Sequence, residues 1–157
     1  MQVRPYQTDD AARLAIIFYR SVRVAGLKAY SQHQVEAWAV SVPPASFYEQ
    51  RAGDGRILLV TINADGEPIA YGDLERSGHI DHLFCIPEAI GTGAASALYD
   101  RLESAAHEWG LGRLFVEASE LARPLFARKG FETIARNDFM MRGAMIYNYQ
   151  MEKFLRR

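Results

Sequence analysis

Residues 78–96, GHIDHLFCIPEAIGTGAAS, decide how the chain is read. Across 79–86 apolar residues alternate or run together, with β-branched and aromatic side chains at Ile80, Phe84 and Ile86, and this predicts one strand. Pro87 has no N–H for a central ladder, so the chain leaves the sheet there and splays from its neighbour. Gly91 and Gly93 follow. From Ala94 the apolar residues Ala97, Leu98, Leu102 and Ala105 recur on one face of a helical period. A strand thus feeds the positive end of a helix through a loop with little side-chain bulk, which is the geometry of a phosphate cradle.

Before this stretch, residues 2–6 read as a strand, and Thr8, Asp9 and Asp10 start a helix that carries Leu14, Ile17, Phe18 and Val22 inward. Ser31 with Gln34 three residues on forms a capping box for a second helix with Val35, Trp38 and Ala39 on its apolar stripe, stopped by Pro43 and Pro44. Residues 47–50 give one more helical turn before the cluster Gly53, Asp54, Gly55. Residues 57–62 and 69–74 read as a hairpin turning at Ala64, Asp65 and Gly66. After the central stretch come a helix to about 107–109, a strand at 114–116, a short helix at 121–129 and strands at 131–135 and 145–151. One crossover among antiparallel turns predicts an α+β fold, with a mixed, mostly antiparallel, splayed central sheet flanked by helices.

The 157 residues suit a single domain over 1–157, as monomer or homodimer, with about two thirds of its unfolded surface buried. A net charge of −1 gives no field to hold a polyanion, so nucleic acid is not expected as a partner. No run approaches the roughly 18 apolar residues of a membrane span, and the first residues lack a signal peptide's apolar core. The lone cysteine, Cys85, provides neither a disulfide nor a thiolate metal site, and a cytoplasmic location without a bound metal is expected.

The run from Pro87 through Gly91, Thr92, Gly93, Ala94, Ala95 and Ser96 resembles the acyl-coenzyme A motif Q/R-x-x-G-x-G/A of the GCN5-related N-acetyltransferases. Ile90 stands where that family usually has Gln or Arg, and Thr92 replaces a common basic residue. Residues 122–131, ending in Gly130 and Phe131, look like the family's second signature, and the element order agrees over the whole chain. The resemblance implies that acetyl-CoA lies in a V between the strand ending at Ile86 and the one ending near Ala118. Leu83, Phe84 and Cys85 would pair with pantetheine through their main chain, and residues 91–96 would hold the pyrophosphate. Ser119 would meet pantetheine or cap the next helix, Arg128 would meet a phosphate, and Phe126, at the family's usual tyrosine position, would cover the thioester.

Transfer to a primary amine needs a base, because an amine of pKa about 10.4 costs roughly 4 to 5 kcal/mol to deprotonate at neutral pH. The family often carries that base at the position of His79, and Asp81, two residues on along the same strand face, would orient it or act through water. His82 is expected to pack. Since Phe126 has no proton to give, either the thiolate leaves unaided or Tyr147 or Tyr149 on the last strand supplies the acid. Tyr30, His33 and Trp38, with Asp138 and Arg142 in the last turn, are expected to line a pocket for a small-molecule or peptide amine. Two rival readings stand beside this one. Gly91 to Ser96 with Glu117 also fits a loose dinucleotide fingerprint. The altered loop and Phe126 also suit a coenzyme A sensor without turnover.

Overall fold

The computed structural model describes residues 1–156. The chain opens with β1 (Gln2–Pro5) and continues through α1 (Ala11–Arg23), α2 (Gln32–Trp38) and α3 (Ala45–Ala52). The strands β2 (Ile57–Ile62), β3 (Pro68–Leu74), β4 (His79–Ile80) and β5 (Leu83–Cys85) follow. The second half holds α4 (Ala94–Glu108), β6 (Arg113–Ala118), α5 (Arg123–Arg128), β7 (Glu132–Met141) and β8 (Ala144–Phe154). The strands form two four-stranded sheets, ordered β1-β2-β3-β5 and β4-β6-β8-β7, and every pairing is antiparallel except β4 with β6. This is the α+β, mostly antiparallel architecture that the sequence predicts. It excludes the doubly wound parallel sheet of the dinucleotide reading.

Local signals account for most elements. Ser31 Oγ accepts from Gln34 N–H at 3.1 Å while Gln34 Oε1 accepts from Ser31 N–H at 2.9 Å, so the capping box is complete. Asn63 Oδ1 accepts from the N–H groups of Asp65 and Glu67 and closes the β2–β3 hairpin. All seven residues of β3 are buried, because α4 covers one face at Gly72 and Leu98 while Tyr48 of α3 packs on Tyr71 from the other. Among the described residues no helix is long and apolar enough to cross a membrane.

Two expectations are corrected. The single strand over 79–86 is two short strands in different sheets: His79 and Ile80 pair with Phe115 and Val116, whereas Leu83, Phe84 and Cys85 pair with Gly72, Tyr71 and Ala70. The break falls at Asp81 and His82, whose N–H groups both donate to Asp73 Oδ1 at 2.8 and 3.0 Å. Asp73 is fully buried, and its other oxygen accepts from Arg51 at 2.7 Å and Arg56 at 3.0 Å. A carboxylate on β3 therefore draws the chain off β6. The final hairpin is also longer than its apolar residues suggest. It runs through Arg136, Asn137 and Asp138 because the outer face of β7 lies in solvent, and it turns at Arg142 and Gly143, which have φ of 47° and 84°.

The apex of the fork is tight. A Cβ on Gly78, whose φ is 97°, would lie 2.2 Å from the carbonyl oxygen of Arg113, so only glycine lets β4 start this close to β6. Asp73→Ala leaves two guanidinium groups and two N–H groups without their buried acceptor, and should lower stability by about 3 to 5 kcal/mol. Urea denaturation measures it. A loss within about 0.5 kcal/mol, the range of an ordinary surface change, contradicts this role for Asp73.

Candidate active site

Beyond Val116 the two ribbons diverge and leave the β6-facing edge of β5 unpaired. Ile86 N–H donates to Ile69 C=O, and His82 C=O accepts from Asp73 N–H. By antiparallel alternation residues 82, 84 and 86 spend their main-chain groups on β3, and Leu83 and Cys85 turn theirs to the open edge. Phe84, expected to pair through its backbone, presents its ring instead.

That edge leads along a groove of about 590 Å³ to the loop at Ile90, Gly91 and Gly93 and the first turn of α4. Gly91 and Gly93 have φ of 82° and 91°. A Cβ at Gly91 would meet no protein atom, so its glycine is required by φ rather than by crowding. No side chain caps α4, and among the described residues the N–H groups of Gly93, Ala94, Ala95 and Ser96 have no protein partner. Such a cluster of free amides at a helix N-terminus is suited to an anion. Thr92 is withdrawn from the cradle: its N–H and its hydroxyl both donate to Ala89 C=O, at 3.2 and 2.5 Å. The positive charge absent at 90 and 92 comes from other elements. Arg128 of α5 and Lys28 after α1, the second unnoticed in the sequence, both line the groove and have no ion-pair partner among the described residues. The thiol of Cys85 is pushed up to about 11 by burial and by Glu88, which keeps it an inert core group.

A second cavity, of about 500 Å³, lies on the other side of β5. Trp38, Leu83, Phe84, Ser119 and Ala122 line both spaces and mark where they meet. Ser119 Oγ accepts from Ala122 N–H at 3.1 Å and so caps the turn into α5. Phe126, 1 % exposed and edge-on to Tyr99 and Phe131, belongs to the floor of the second cavity rather than to the groove.

His79 and Asp81 line this cavity, but neither has the properties expected of a base. His79 is held at Nδ1 by Glu75 and at Nε2 by Glu117, the latter at 2.9 Å, and stacks on Phe115. The bond to Glu117 outweighs burial and, with Glu75, pushes the imidazole up to about 9, so at neutral pH it is a cation with no lone pair free. Burial raises the Asp81 carboxyl, but its bond to Arg51 and the surrounding positive charge bring it below the usual carboxylate range. Glu117, which the sequence offered only as the acid of a dinucleotide fingerprint, lines the cavity with a half-exposed carboxylate. Only the parallel register of β4 on β6 brings it to His79.

His82, expected merely to pack, also lines the cavity. Its Nδ1 is 2.9 Å from the Tyr71 hydroxyl, which is 3.1 Å from the Tyr48 hydroxyl. Tyr48 has no other partner among the described residues. The hydrogen count therefore assigns a donation from Tyr48 to Tyr71 and from Tyr71 to Nδ1, leaving the ring proton on Nε2. Burial among Phe18, Phe47 and Phe84, with the charge of Arg51 nearby, pulls the imidazole down to about 4. His82 is thus a neutral donor.

Tyr30, Trp38 and Arg142, expected at an acceptor pocket, line this second cavity, and so does Tyr147, which the sequence offered as an acid. The Tyr30 hydroxyl accepts from Glu120 N–H at 2.9 Å and donates to Tyr147 C=O at 3.0 Å, tying the end of β6 to β8. His33 and Asp138 do not line it: His33 sits 3.4 Å from Gly143 C=O, and Asp138 pairs with Arg136 on the outer face of β7. Tyr149 lies under the Arg123 guanidinium outside the cavity. Neither Tyr147 nor Tyr149 lines the groove in which a thiolate would be released.

Two spaces that share a wall, one following an open strand edge to uncapped amides and the other ringed by aromatic side chains, suit a transferase acting between two bound molecules. Residues 26–153 match the family model described as an acetyltransferase (GNAT) domain. An uncharacterized N-acetyltransferase of Escherichia coli (strain K12) is 34% identical over 152 residues, which is 96% of this chain and 94% of the relative. A solved GCN5-related N-acetyltransferase from Rhodopseudomonas palustris superposes with a TM-score of 0.89 at 32% identity, covering 98% of this chain and 95% of that one. A phosphinothricin acetyltransferase from Sinorhizobium meliloti shares the fold, with a TM-score of 0.77 at 19% identity over 98% of this chain and 88% of its own. The chain belongs to the GNAT family of acyltransferases.

The raised pKa of His79 has a sign. Folding strengthens its proton binding, so the stabilisation is fully present below pH about 6.5 and is lost as pH rises through about 9. His79→Gln should remove that decline from the pH profile of urea-unfolding stability between those limits. Parallel profiles for the two proteins would contradict the ion-pair assignment.

Proposed function

We propose that this chain, as a single domain over residues 1–157, transfers the acetyl group of acetyl-CoA to a primary amine, whose nitrogen attacks the thioester carbonyl directly in a ternary complex. The observation that carries this reading is the meeting of the two cavities at Leu83, Phe84 and Ser119, where one molecule in each would touch. It is supported by the naming of the E. coli relative as an N-acetyltransferase and by the AcCoA held by the S. meliloti fold relative.

Leu83 and Cys85 offer the main-chain groups for pantetheine, and residues 93–96 offer amides for the pyrophosphate, with Lys28 and Arg128 beside them. Acetyl-CoA, when bound, supplies an activated acyl carbonyl and a thiolate leaving group. The amine's proton passes to the carboxylate of Glu117 at the cavity wall, which the His79 imidazolium holds in place. Asp81 adds negative charge that attracts the ammonium form of the acceptor. A thiolate of pKa about 8.5 leaves without a donor at a cost of roughly 2 kcal/mol at pH 7, so the phenylalanine at 126 is no obstacle.

The acceptor is a small molecule or a peptide amine, as the size of the cavity suits. A net charge of −1 provides no field for nucleic acid or for an anionic membrane surface. The cytoplasm, which keeps Cys85 a free thiol, is the compartment this reading assigns.

Glu117→Gln keeps the side chain's size but removes its basicity, and should lower kcat about 10²- to 10⁴-fold while the Kd for acetyl-CoA stays within about twofold. Thiol-release kinetics and calorimetry measure the two quantities. An unchanged kcat would remove Glu117 as proton acceptor.

A further inference from the structure

The acceptor cavity carries its charges on two separate walls. On the β4–β6 wall Asp81 and Glu117 face the space, each within a cluster that sums to −1. One cluster sets the two carboxylates of Glu75 and Glu117 against the single cation of His79. The other sets the three carboxylates of Asp54, Asp73 and Asp81 against the two guanidinium groups of Arg51 and Arg56.

The opposite wall is built where the β7–β8 turn lies on α2. Arg142 lines the cavity there, donating from one terminal nitrogen to Ala37 C=O at 2.6 Å. It has no acidic partner among the described residues. Its backbone carries a second sign of function. At φ 47° Arg142 is the one non-glycine residue with positive φ among those described, in a turn where Asn or Gly would sit with less strain. Between the walls stand the rings of Phe18, Trp38, Phe139 and Tyr147, and His82 adds an uncharged N–H.

We infer that the acceptor is a zwitterion: a primary amine whose nitrogen lies toward Asp81 and Glu117, whose carboxylate is paired by Arg142, and whose body between them is apolar or aromatic. This places the acceptor in the amino-acid class, and it rests on the acetyl-transfer reading above. A cationic amine without a carboxylate would meet the same two acidic clusters but draw nothing from Arg142, an exposed cation on the opposite wall. A peptide amine would meet Arg142 with a neutral amide at the equivalent position.

The test is thiol release from acetyl-CoA by the full-length protein with phenylalanine, leucine, phenylalaninamide, phenethylamine and isoamylamine. The expected result is a kcat/KM for phenylalanine or leucine at least about tenfold above that of its decarboxylated or amidated counterpart. Arg142→Gln should bring that ratio close to one, and Arg142→Lys should restore part of it. A ratio near or below one in the unaltered protein, or a ratio that Arg142→Gln leaves in place, overturns the inference. Turnover of phenethylamine without phenylalanine would overturn it while leaving the transfer reading intact. Failure of all five would also overturn it, and calorimetry with acetyl-CoA alone then shows whether the transfer reading falls with it: no binding removes both, whereas binding removes the amino-acid acceptor alone.

Discussion

A buried carboxylate on the third strand shapes the molecule. Asp73 receives two guanidinium groups and the N–H groups of Asp81 and His82, and a desolvated charge is tolerated because each of its oxygens is bonded twice. The main-chain donations have the larger structural effect. They take the two residues that would have continued β4 along β6 and turn them onto β3, so the parallel ladder ends after His79 and Ile80. The open edge of β5, the groove leading to α4 and the wall it shares with the second cavity all follow from that diversion. Gly78 makes it possible from below, because no larger residue could approach Arg113 so closely.

The same charges set the chemistry on either side. Arg51 and Arg56 neutralise Asp73, hold Asp81 ionised and, with burial, keep His82 uncharged. Across the fork His79 is charged, because two carboxylates flank it. Two histidines three residues apart thus hold opposite protonation states at neutral pH, and neither has the free lone pair of a general base. The carboxylate of Glu117 stands at the cavity wall beside His79, near the point where β6 parts from β4. Positive charge around the coenzyme loop is likewise redistributed, from the loop itself to Lys28 and Arg128 on the flanking elements.

Features with local causes were legible in the sequence. The capping box at Ser31 and Gln34, the Asn63 hairpin, the Gly91 and Gly93 turn and the amphipathic α4 each depend on residues close in sequence, and each lies where the pattern puts it. The fork was not legible as built. Pro87 suggested a departure after Ile86, whereas the chain leaves β6 six residues earlier, after Ile80, because the deciding group is Asp73 on another strand. Strand parity placed His82 on the face opposite His79 and Asp81, yet all three line one cavity, because the rule fails across a break. Glu117 entered the sequence reading only through the dinucleotide fingerprint, because its meeting with His79 depends on inter-strand register. Thr92 matched a motif position, yet its two donors are both spent on Ala89.

Amide hydrogen exchange with and without saturating acetyl-CoA tests the fork most directly. The account predicts that in the free protein the N–H groups of Phe84 and Ile86 are protected by β3 while those of Leu83 and Cys85 exchange freely, and that acetyl-CoA slows Leu83 or Cys85 together with residues 93–96. Protection of Leu83 and Cys85 already present without ligand, or no change along 83–96 when it binds, would contradict it.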